Sequence, residues 1–313
     1  MTTPTVIALG ECMLELRQED GATILGVGGD SYNTAVYLTR EGAGRISVGY
    51  ATVLGTDPYS DGILEAMTAE GLDVGLVQRV DDRHPGLYLV HVDPDGERHF
   101  LYYRGASAAR RLLTTPRHQE VIRATAEADW IYLTGITLAV LEEAARERLL
   151  AAVQQARAAG GRVAFDTNYR PALWPDRGSA RRCIAPFLEA TDLALPSFED
   201  ERALWDAATP DDAVERLLAA GASEVVIKVG EKGVVLSDGA TTRAVAAQPV
   251  DRPVDTTAAG DAFNGAYLAA RIRGQDPGAA ARHGVRLAAR VVTARGAIVA
   301  DAPGTGVQEV AVW

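Results

Sequence analysis

The chain has 313 residues, 47% of them hydrophobic, and a formal net charge of −11 at pH 7. This length allows one large α/β domain or two smaller ones, and the acidic balance, with basic clusters no longer than pairs, argues against a nucleic-acid partner. Two cysteines are too few for a disulfide framework or a zinc site, and no apolar run is long enough for a membrane span, so we expect a cytoplasmic protein without a membrane partner.

Apolar runs alternate with helical patterns along the chain. The runs that we predict as strands are, in order, TVIALGE, RISVGYATVLG, DWIYLTG, GRVAFDTN, TDLALPS, SEVVIKVG and KGVVLSDG. The clearest helix between them, LEEAARERLLAAVQQARAAGG, ends in a glycine pair suited to a helix C-terminus. This alternation predicts an α/β fold with a mostly parallel central sheet and helices on both faces. Ligands in such folds bind at the carboxyl ends of the strands.

One region breaks this alternation. Residues 87–104 predict a β-hairpin around the turn signal at 93–96, Asp-Pro-Asp-Gly. Together with residues 12–27, the hairpin is expected to form a small antiparallel sheet that serves as a lid or as a surface between subunits. We find no linker or repeat, so residues 1–313 are expected to form a single domain from which this lid projects.

The first candidate binding residues follow the pair Gly28-Gly29. A glycine pair lets the backbone approach a ligand closely, and Asp30 and Asn33 can bond ligand hydroxyl groups before an apolar helix begins. Plain helix initiation is the alternative explanation of the same residues.

The exit of the hairpin, YYRGASAAR, provides the next candidates. Side chains alternate along a strand, so Tyr102 and Arg104 share one face and Tyr103 takes the other. An aromatic ring and a guanidinium on one face could contact a ligand that carries a carboxylate. An edge strand with exposed aromatic residues remains an equal alternative.

Two further polar segments follow predicted strands. In FDTNYRPALW, a strand is followed by Asp166, Asn168 and Arg170, and the second arginine favours an anionic ligand, although a polar loop would have the same composition. In IKVGEKGVVL, two strands are joined by a segment with Lys228, Gly230 and Gly233, which suits either the phosphates of a nucleotide or a tight β-turn.

The segment DTTAAGDAFNGAYLAA, residues 255–270, combines two aspartates with the start of a helix. Apolar residues recur at the i, i+3, i+4, i+7 spacing of a helix, namely Phe263, Ala266, Tyr267 and Ala270. A helix is therefore expected to begin near Asp261. The first turn of a helix has unpaired N–H groups, and the small side chains of residues 258–260 leave space beside them for a bulky anion. A carboxylate at a helix start and a turn glycine are the simpler alternative.

Several familiar catalytic patterns do not occur in the sequence. There is no Walker A segment, no protein-kinase set and no G-x-G-x-x-G after the first strand. There is no H-E-x-x-H or G-x-S-x-G either, and the five histidines are scattered. Metal-dependent and serine hydrolysis are therefore not expected.

These residues resemble the ribokinase-like (pfkB) family of carbohydrate kinases over essentially the whole chain. The C-terminal signature of that family is matched from Asp255 to Asp261, and its N-terminal glycine motif is matched by Gly28-Gly29 with Asn33. The segments GGDSYNTAVYL, YYR, DTNYRP, LPSFEDE and VVIKVGEKG are similar to the branch of the family that phosphorylates 2-keto-3-deoxygluconate.

The resemblance implies ATP-dependent phosphorylation of the terminal hydroxyl of a sugar acid, with Mg²⁺ and with room for a monovalent cation. Asp261 is implied as the general base, and the anion hole is formed by Ala258, Ala259, Gly260 and Asp261. The implied sugar-acid site comprises Gly29, Asp30, Asn33, Tyr88, Tyr102, Arg104 and Arg170. The implied ATP site comprises Asn168, Lys228, Gly230, Gly233, Ala258 and Gly260. The resemblance implies that Asp200 contacts the metal through water and that Asp255 is a second metal residue. The lid implies a homo-oligomer.

The sequence departs from the family pattern at two places. Ala258 stands where many relatives have glycine, so we expect alanine to adopt a conformation that glycine takes more easily. The Asn-x-x-Glu motif associated with Mg²⁺ appears as residues 197–200, ending in the shorter Asp200. A kinase for fructose, ribose or 2-keto-3-deoxygalactonate, and a sugar-acid sensor without catalysis, remain alternatives.

Overall fold

The computed structural model describes residues 3–19, 22–92 and 98–299. Its strands are β1 (Thr5–Leu9), β2 (Met13–Glu19), β3 (Ala22–Gly28), β4 (Ser47–Leu54), β5 (Val77–Arg79), β6 (Gly86–Val92), β7 (Arg98–Tyr103), β8 (Trp130–Thr134), β9 (Arg162–Asp166), β10 (Leu193–Ala194), β11 (Glu224–Lys228), β12 (Val234–Ser237) and β13 (Thr242–Val245). Its α-helices are α1 (Asp30–Gly42), α2 (Pro58–Ala69), α3 (His118–Ala126), α4 (Gly135–Val140), α5 (Glu143–Ala158), α6 (Arg177–Glu189), α7 (Phe198–Trp205), α8 (Pro210–Ala220), α9 (Ala259–Ile272) and α10 (Pro277–Val291).

The main sheet within these ranges has the strand order β13-β12-β11-β10-β9-β8-β1-β4-β5. Neighbouring strands from β11 to β5 are parallel, whereas β12 and β13 add an antiparallel edge. This confirms the predicted, mostly parallel sheet. Because β1 lies between β4 and β8, the chain order reverses beside β1, which is where sheets of this kind bind ligands.

Helices cover both faces of this sheet, as predicted. Val6 and Ala8 on β1 pack in the layer formed with α1, α2, α9 and α10. Leu9, the last residue of β1, packs in the opposite layer with α3, α5, α6 and α8. Because these strands are buried on both faces, their sequences are continuously apolar and do not alternate between polar and apolar residues.

The predicted helices form, and α1 begins at Asp30, so Asp30 and Asn33 lie in its first turn rather than before it. Helix α5 is followed by Ala159 and then by Gly160 at φ 97°, the left-handed conformation that the glycine pair suggested. Helix α9 begins at Ala259, two residues before the expected start, and the residues of its apolar stripe are buried. The first turn of α9 therefore lies where the sequence predicted an opening for an anion.

A second, smaller sheet has the order β3-β2-β6-β7. The pair β6–β7 is the predicted antiparallel hairpin, and its predicted turn at residues 93–96 lies outside the described residues. The pair β2–β3 is antiparallel as well. The pair that joins them, β2–β6, is parallel, with Met13 opposite Gly86. Each strand follows a strand of the main sheet in the chain, β2 after β1 and β6 after β5.

Both cysteines, Cys12 and Cys183, are free thiols. None of the helices in the described ranges combines the length and the apolar character that crossing a bilayer requires.

Candidate active site

A cavity of about 540 Å³ lies at the carboxyl ends of the central strands, between the small sheet and the start of α9. The predicted site residues that line it are Gly29, Asp30, Asn33, Tyr88, Tyr102, Arg104, Asn168, Arg170, Asp200, Lys228, Ala258, Ala259, Gly260 and Asp261. Residues separated by more than 200 positions in the sequence thus share one cavity. The lining also includes Asp166, Ser197, Thr256 and Thr257, and the apolar side chains of Met13, Phe100 and Ile136.

Helix α9 opens onto the cavity through an unusual first turn. Ala258, directly before the helix, has φ 58° and ψ 11°, so alanine adopts the left-handed conformation that we expected at this position. The N–H groups of Gly260 and Asp261 belong to the first turn, where a helix supplies no backbone acceptors. A Cβ atom on Gly260 would lie 3.7 Å from Nζ of Lys228, so glycine keeps open a space between backbone donors and an ammonium group. This arrangement suits an anion.

Asp261 stands at the cavity wall with a strongly raised pKa. Burial is the main cause and the nearby Asp30 carboxylate adds to it, so that the pKa of Asp261 reaches about 7. Nδ2 of Asn33 donates to Oδ2 of Asp261 at 2.8 Å, and this bond and Lys228 lower the pKa in part. A carboxylate with a pKa near neutrality can accept a proton at physiological pH.

Asp30, the first residue of α1, is held by side chains from two strand ends. Its Oδ2 accepts hydrogen bonds from Oγ1 of Thr134, at the end of β8, and from Nδ2 of Asn168 at 2.9 Å. The resemblance assigned Asn168 to the ATP site, but its amide binds a residue assigned to the sugar acid. The positive φ of 32° at Asn168 accompanies this orientation.

A buried polar cluster lies beside the start of α9. Lys228, at the end of β11, donates to Oδ2 of Asp166 at 2.7 Å and to Oδ1 of Asn264 at 3.0 Å. Asn264 in turn donates to Asp166 at 2.7 Å. The sequence interpretation missed Asn264, although its position three residues after Asp261 places both on one side of a helix.

Arg104 is buried and points into the cavity. Its Nε donates to Oε2 of Glu11 at 2.7 Å, and its guanidinium carbon lies 5.9 Å from the centre of the Tyr102 ring. Tyr103 is 63% exposed, as expected from the alternation of side chains along β7. The same alternation therefore separates the residues that line the cavity from those that face away from it.

Arg170 also lines the cavity and is half exposed. Its Nη1 is 3.2 Å from Oδ1 of Asp200, in the first turn of α7. Burial raises the pKa of Asp200, and the guanidinium of Arg170 opposes that shift. Arg104 and Arg170 thus both reach the cavity, and each already contacts a carboxylate of the protein.

Three predicted site residues, Gly230, Gly233 and Asp255, lie outside the cavity lining. Gly233 has φ 98°, and a Cβ there would collide with the backbone at Val245, so the hairpin itself requires this glycine. Asp255 accepts hydrogen bonds from the N–H groups of Thr257 and Gly296, each at 2.8 Å. It therefore orders the loop before α9, whereas the resemblance implied it as a metal residue.

Gly29 lines the cavity, yet packing within the protein already requires its lack of a side chain. A Cβ on Gly29 would overlap the carbonyl oxygen of Glu11. The close contact that we predicted between Gly29 and a ligand is therefore accompanied by a close contact between Gly29 and the backbone of Glu11.

Among the described residues, no group of three or more histidine, cysteine, aspartate or glutamate side chains could hold a metal ion. Near the cavity, Asp166 contacts Lys228 and Asp200 contacts Arg170. Mg²⁺ usually keeps several waters and binds through one or two carboxylates and the phosphates of a nucleotide. The carboxylates of Asp166 and Asp200 at the cavity fit that mode of binding, and Asp200 is the one that the resemblance implied for Mg²⁺.

Comparisons with known proteins agree with this geometry. Residues 5–303 match the pfkB family of carbohydrate kinases. The chain is 41% identical over 303 residues to the 2-dehydro-3-deoxygluconokinase of Dickeya dadantii, covering 96% of this chain and 98% of the relative. It is 39% identical over 298 residues to the enzyme of the same name from Escherichia coli K12, covering 94% and 96%. A ribokinase-type protein from E. coli, solved in complex with ATP and Mg²⁺, superposes with a TM-score of 0.82 at 25% identity and 94% coverage of each chain.

Proposed function

Because the chain belongs to the pfkB family of carbohydrate kinases, we propose that it transfers the γ-phosphoryl group of ATP to the terminal hydroxyl of 2-keto-3-deoxygluconate, yielding the 6-phosphate. The observation that carries this proposal is the position of Asp261. It stands beside open backbone N–H groups at the start of α9, in a cavity that two arginines also line.

Asp261 serves as the general base. Its carboxylate takes the proton from the terminal hydroxyl while that oxygen bonds to the γ-phosphorus, and the bond from phosphorus to the leaving oxygen of ADP breaks. The pKa of about 7 supports this role, because the carboxylate is ionised in a large fraction of molecules at neutral pH and binds a proton readily. Asn33 holds the carboxylate in place through its 2.8 Å hydrogen bond.

The first turn of α9 and Lys228 form the site for the transferred phosphoryl group. The N–H groups of Gly260 and Asp261 stabilise charge on its oxygens without any reorganisation, whereas the N–H of Ala259, also implied for the anion hole, donates to the carbonyl oxygen of Thr256 at 3.3 Å. The ammonium of Lys228 adds a positive charge beside Gly260. ATP would supply the phosphoryl group, and a bound Mg²⁺ would supply positive charge to its phosphate oxygens. Asp200 is the residue that we propose to contact Mg²⁺ through water.

The two arginines favour an acid over a neutral sugar. Arg104 and Arg170 line one cavity, and a carboxylate between them would form charge-assisted hydrogen bonds. A neutral sugar has no group that needs two guanidinium partners. The relatives from D. dadantii and E. coli, with identities of 41% and 39%, are both named for 2-dehydro-3-deoxygluconate.

We also propose that the chain is one domain and that the sheet β3-β2-β6-β7 closes over the substrate as a lid. The edge strand β7 carries the exposed side chains of Phe100, Leu101 and Tyr103, and an exposed apolar edge is usually covered. A second subunit is the partner that we propose for it. Since the phosphoryl donor is ATP, we place the protein in the cytoplasm.

A monovalent cation near Asp255 is part of the proposal. Replacing K⁺ with tetramethylammonium in the assay tests it, because the larger ion would not substitute for K⁺ at a site of matching size. Lower activity in tetramethylammonium that K⁺ restores is the expected result.

The substrate assignment is tested by measuring ATP consumption with a panel of sugars and sugar acids at one concentration. We expect 2-keto-3-deoxygluconate to give the highest kcat/KM, and 2-keto-3-deoxygalactonate, fructose and ribose to give lower values. A higher value for fructose or ribose would refute the sugar-acid assignment. ATP consumption with none of them, together with retained binding of the acid, would instead indicate a sensor.

A further inference from the structure

Two buried glutamates near the cavity have no part in the chemistry proposed above. Glu11, between β1 and β2, is 1% exposed, and Glu15, on β2, is 3% exposed. Glutamate is almost never fully buried unless it is paired, so each carboxylate needs an explanation. Both explanations lie in the hairpin formed by β6 and β7.

Glu11 is paired with Arg104, which follows β7. Nε of Arg104 donates to Oε2 of Glu11 at 2.7 Å across 93 residues of sequence. Gly86, at the start of β6, makes room for this pair, because a Cβ there would lie 2.7 Å from Oε1 of Glu11. Nη2 of Arg104 also contacts Oε2 of Glu11, so the ion pair fixes the orientation of the guanidinium and leaves Nη1 as the nitrogen that Glu11 does not contact.

Glu15 is paired with Tyr88, on β6. The hydroxyl of Tyr88 donates to Oε2 of Glu15, and Nη1 of Arg17 donates to Oε1 at 2.8 Å. A Cβ on Gly28 would collide with the Tyr88 hydroxyl, so a glycine again leaves room for the pair. Since the only hydrogen of the phenol is used by Glu15, the Tyr88 oxygen can only accept a hydrogen bond from a ligand.

We propose that Glu11 and Glu15 are positioning residues that set the substrate preference of the cavity. Glu11 orients Arg104 for a carboxylate, and Glu15 makes Tyr88 an acceptor for a ligand hydroxyl. The inference rests on the proposed function, because it assumes a sugar acid as the ligand. Replacing buried ion pairs by apolar side chains is often neutral or stabilising, so core stability alone does not account for two such carboxylates beside one cavity.

The test compares binding of two probes by calorimetry, 2-keto-3-deoxygluconate and its neutral carboxamide. Glu11→Ala removes the acceptor for Arg104, and Glu11→Gln keeps an oxygen that can accept from Nε. Glu11→Leu, which fills the same volume, replaces the alanine variant if that variant does not fold. Glu15→Ala is measured in parallel as an independent arm.

Glu224 offers a matched control. At the start of β11, the end opposite the cavity, its Oε1 accepts from the Tyr267 hydroxyl at 2.7 Å and from Nε of Arg271 at 2.9 Å. It therefore pairs with a tyrosine and an arginine, as Glu11 and Glu15 do together, but away from the ligand. Glu224→Ala is expected to lower thermal stability and to leave binding of both probes unchanged.

We expect Glu11→Ala to weaken binding of the acid by about 10- to 100-fold, the loss typical of a misplaced contact, with little change for the carboxamide. Glu11→Gln should restore most of the loss. Glu15→Ala should weaken both probes alike, because the hydroxyl groups are common to them. If Glu11→Ala weakens both probes equally, or neither, while the unmodified protein binds the acid, the inference is wrong. If the unmodified protein does not bind the acid, the proposed function fails and the inference fails with it.

Discussion

Replacing Asp261 by Asn is expected to stabilise the folded protein while it removes activity. A pKa raised from 3.8 to about 7 corresponds to about 4 kcal/mol by which the fold disfavours the ionised carboxylate. The cavity gives water some access to Asp261, so we expect a gain of about 2–4 kcal/mol above pH 7. Asn33 can still donate to the oxygen of the new amide, so the local hydrogen bond is retained.

The gain depends on pH in a defined way. Between the unfolded pKa of 3.8 and the folded pKa of about 7, the folded protein binds more protons at Asp261 than the unfolded chain does. The contribution of Asp261 to the stability of the wild-type protein therefore falls as the pH rises through this window, and Asp261→Asn lacks this loss. The difference between the two proteins should be small near pH 4, grow through the window and become constant above pH 7.

Urea denaturation at pH 5 and pH 8 measures this difference, and ADP release measures turnover. We expect the stability gain to be larger at pH 8 and kcat to fall by about 10²–10⁴-fold, the contribution of a general base. An equal gain at both pH values, or a loss, would show that the fold does not disfavour the ionised form. Turnover near the wild-type value would remove Asp261 from the role of base.

Four further outcomes are expected. Arg170→Ala should weaken binding of the sugar acid by about 2–4 kcal/mol, the loss of a charged partner, and an unchanged KM would exclude Arg170 from the site. Ala258→Gly should raise the free energy of unfolding by up to about 1 kcal/mol in urea titrations, because it relieves the φ of 58°, partly offset by the flexibility of glycine in the unfolded chain; destabilisation would contradict the strain. The kcat/KM profile should rise about tenfold per pH unit up to about pH 7 and then level off, since Asp261 must be ionised, and a flat profile would argue against a base with this pKa. Amide exchange in β6 and β7 should slow when the sugar acid is added while α5 barely responds, and equal exchange would refute lid closure.

Much of the fold could be predicted from the sequence because its strands are buried on both faces and its helices have clear periods. The runs around β1, β8 and β9 are continuously apolar, and the Gly-Gly end of α5 needs a left-handed residue. The strands β5 and β13 were missed, since their segments VQR and TRAV contain polar residues and form no apolar run like those around β10 and β12.

The site could be predicted only where one segment carries its own signal. The segment around Asp261 combines small residues with a helix start, so it could be recognised locally. The contact of Asp30 with Asn168 joins residues 138 positions apart, and the pair of Glu11 with Arg104 spans 93. Such partners are brought together by the order of strands in the sheets, which a single sequence does not reveal.

The central claim is phosphoryl transfer from ATP to the terminal hydroxyl of a sugar acid. Its most direct test is to incubate the protein with ATP, Mg²⁺ and 2-keto-3-deoxygluconate and to identify the product by ³¹P and ¹H NMR. One ADP should form for each acid consumed, with the new phosphate ester coupled to the protons of the terminal carbon. An unaltered acid, or a phosphate ester on another hydroxyl, would contradict the account.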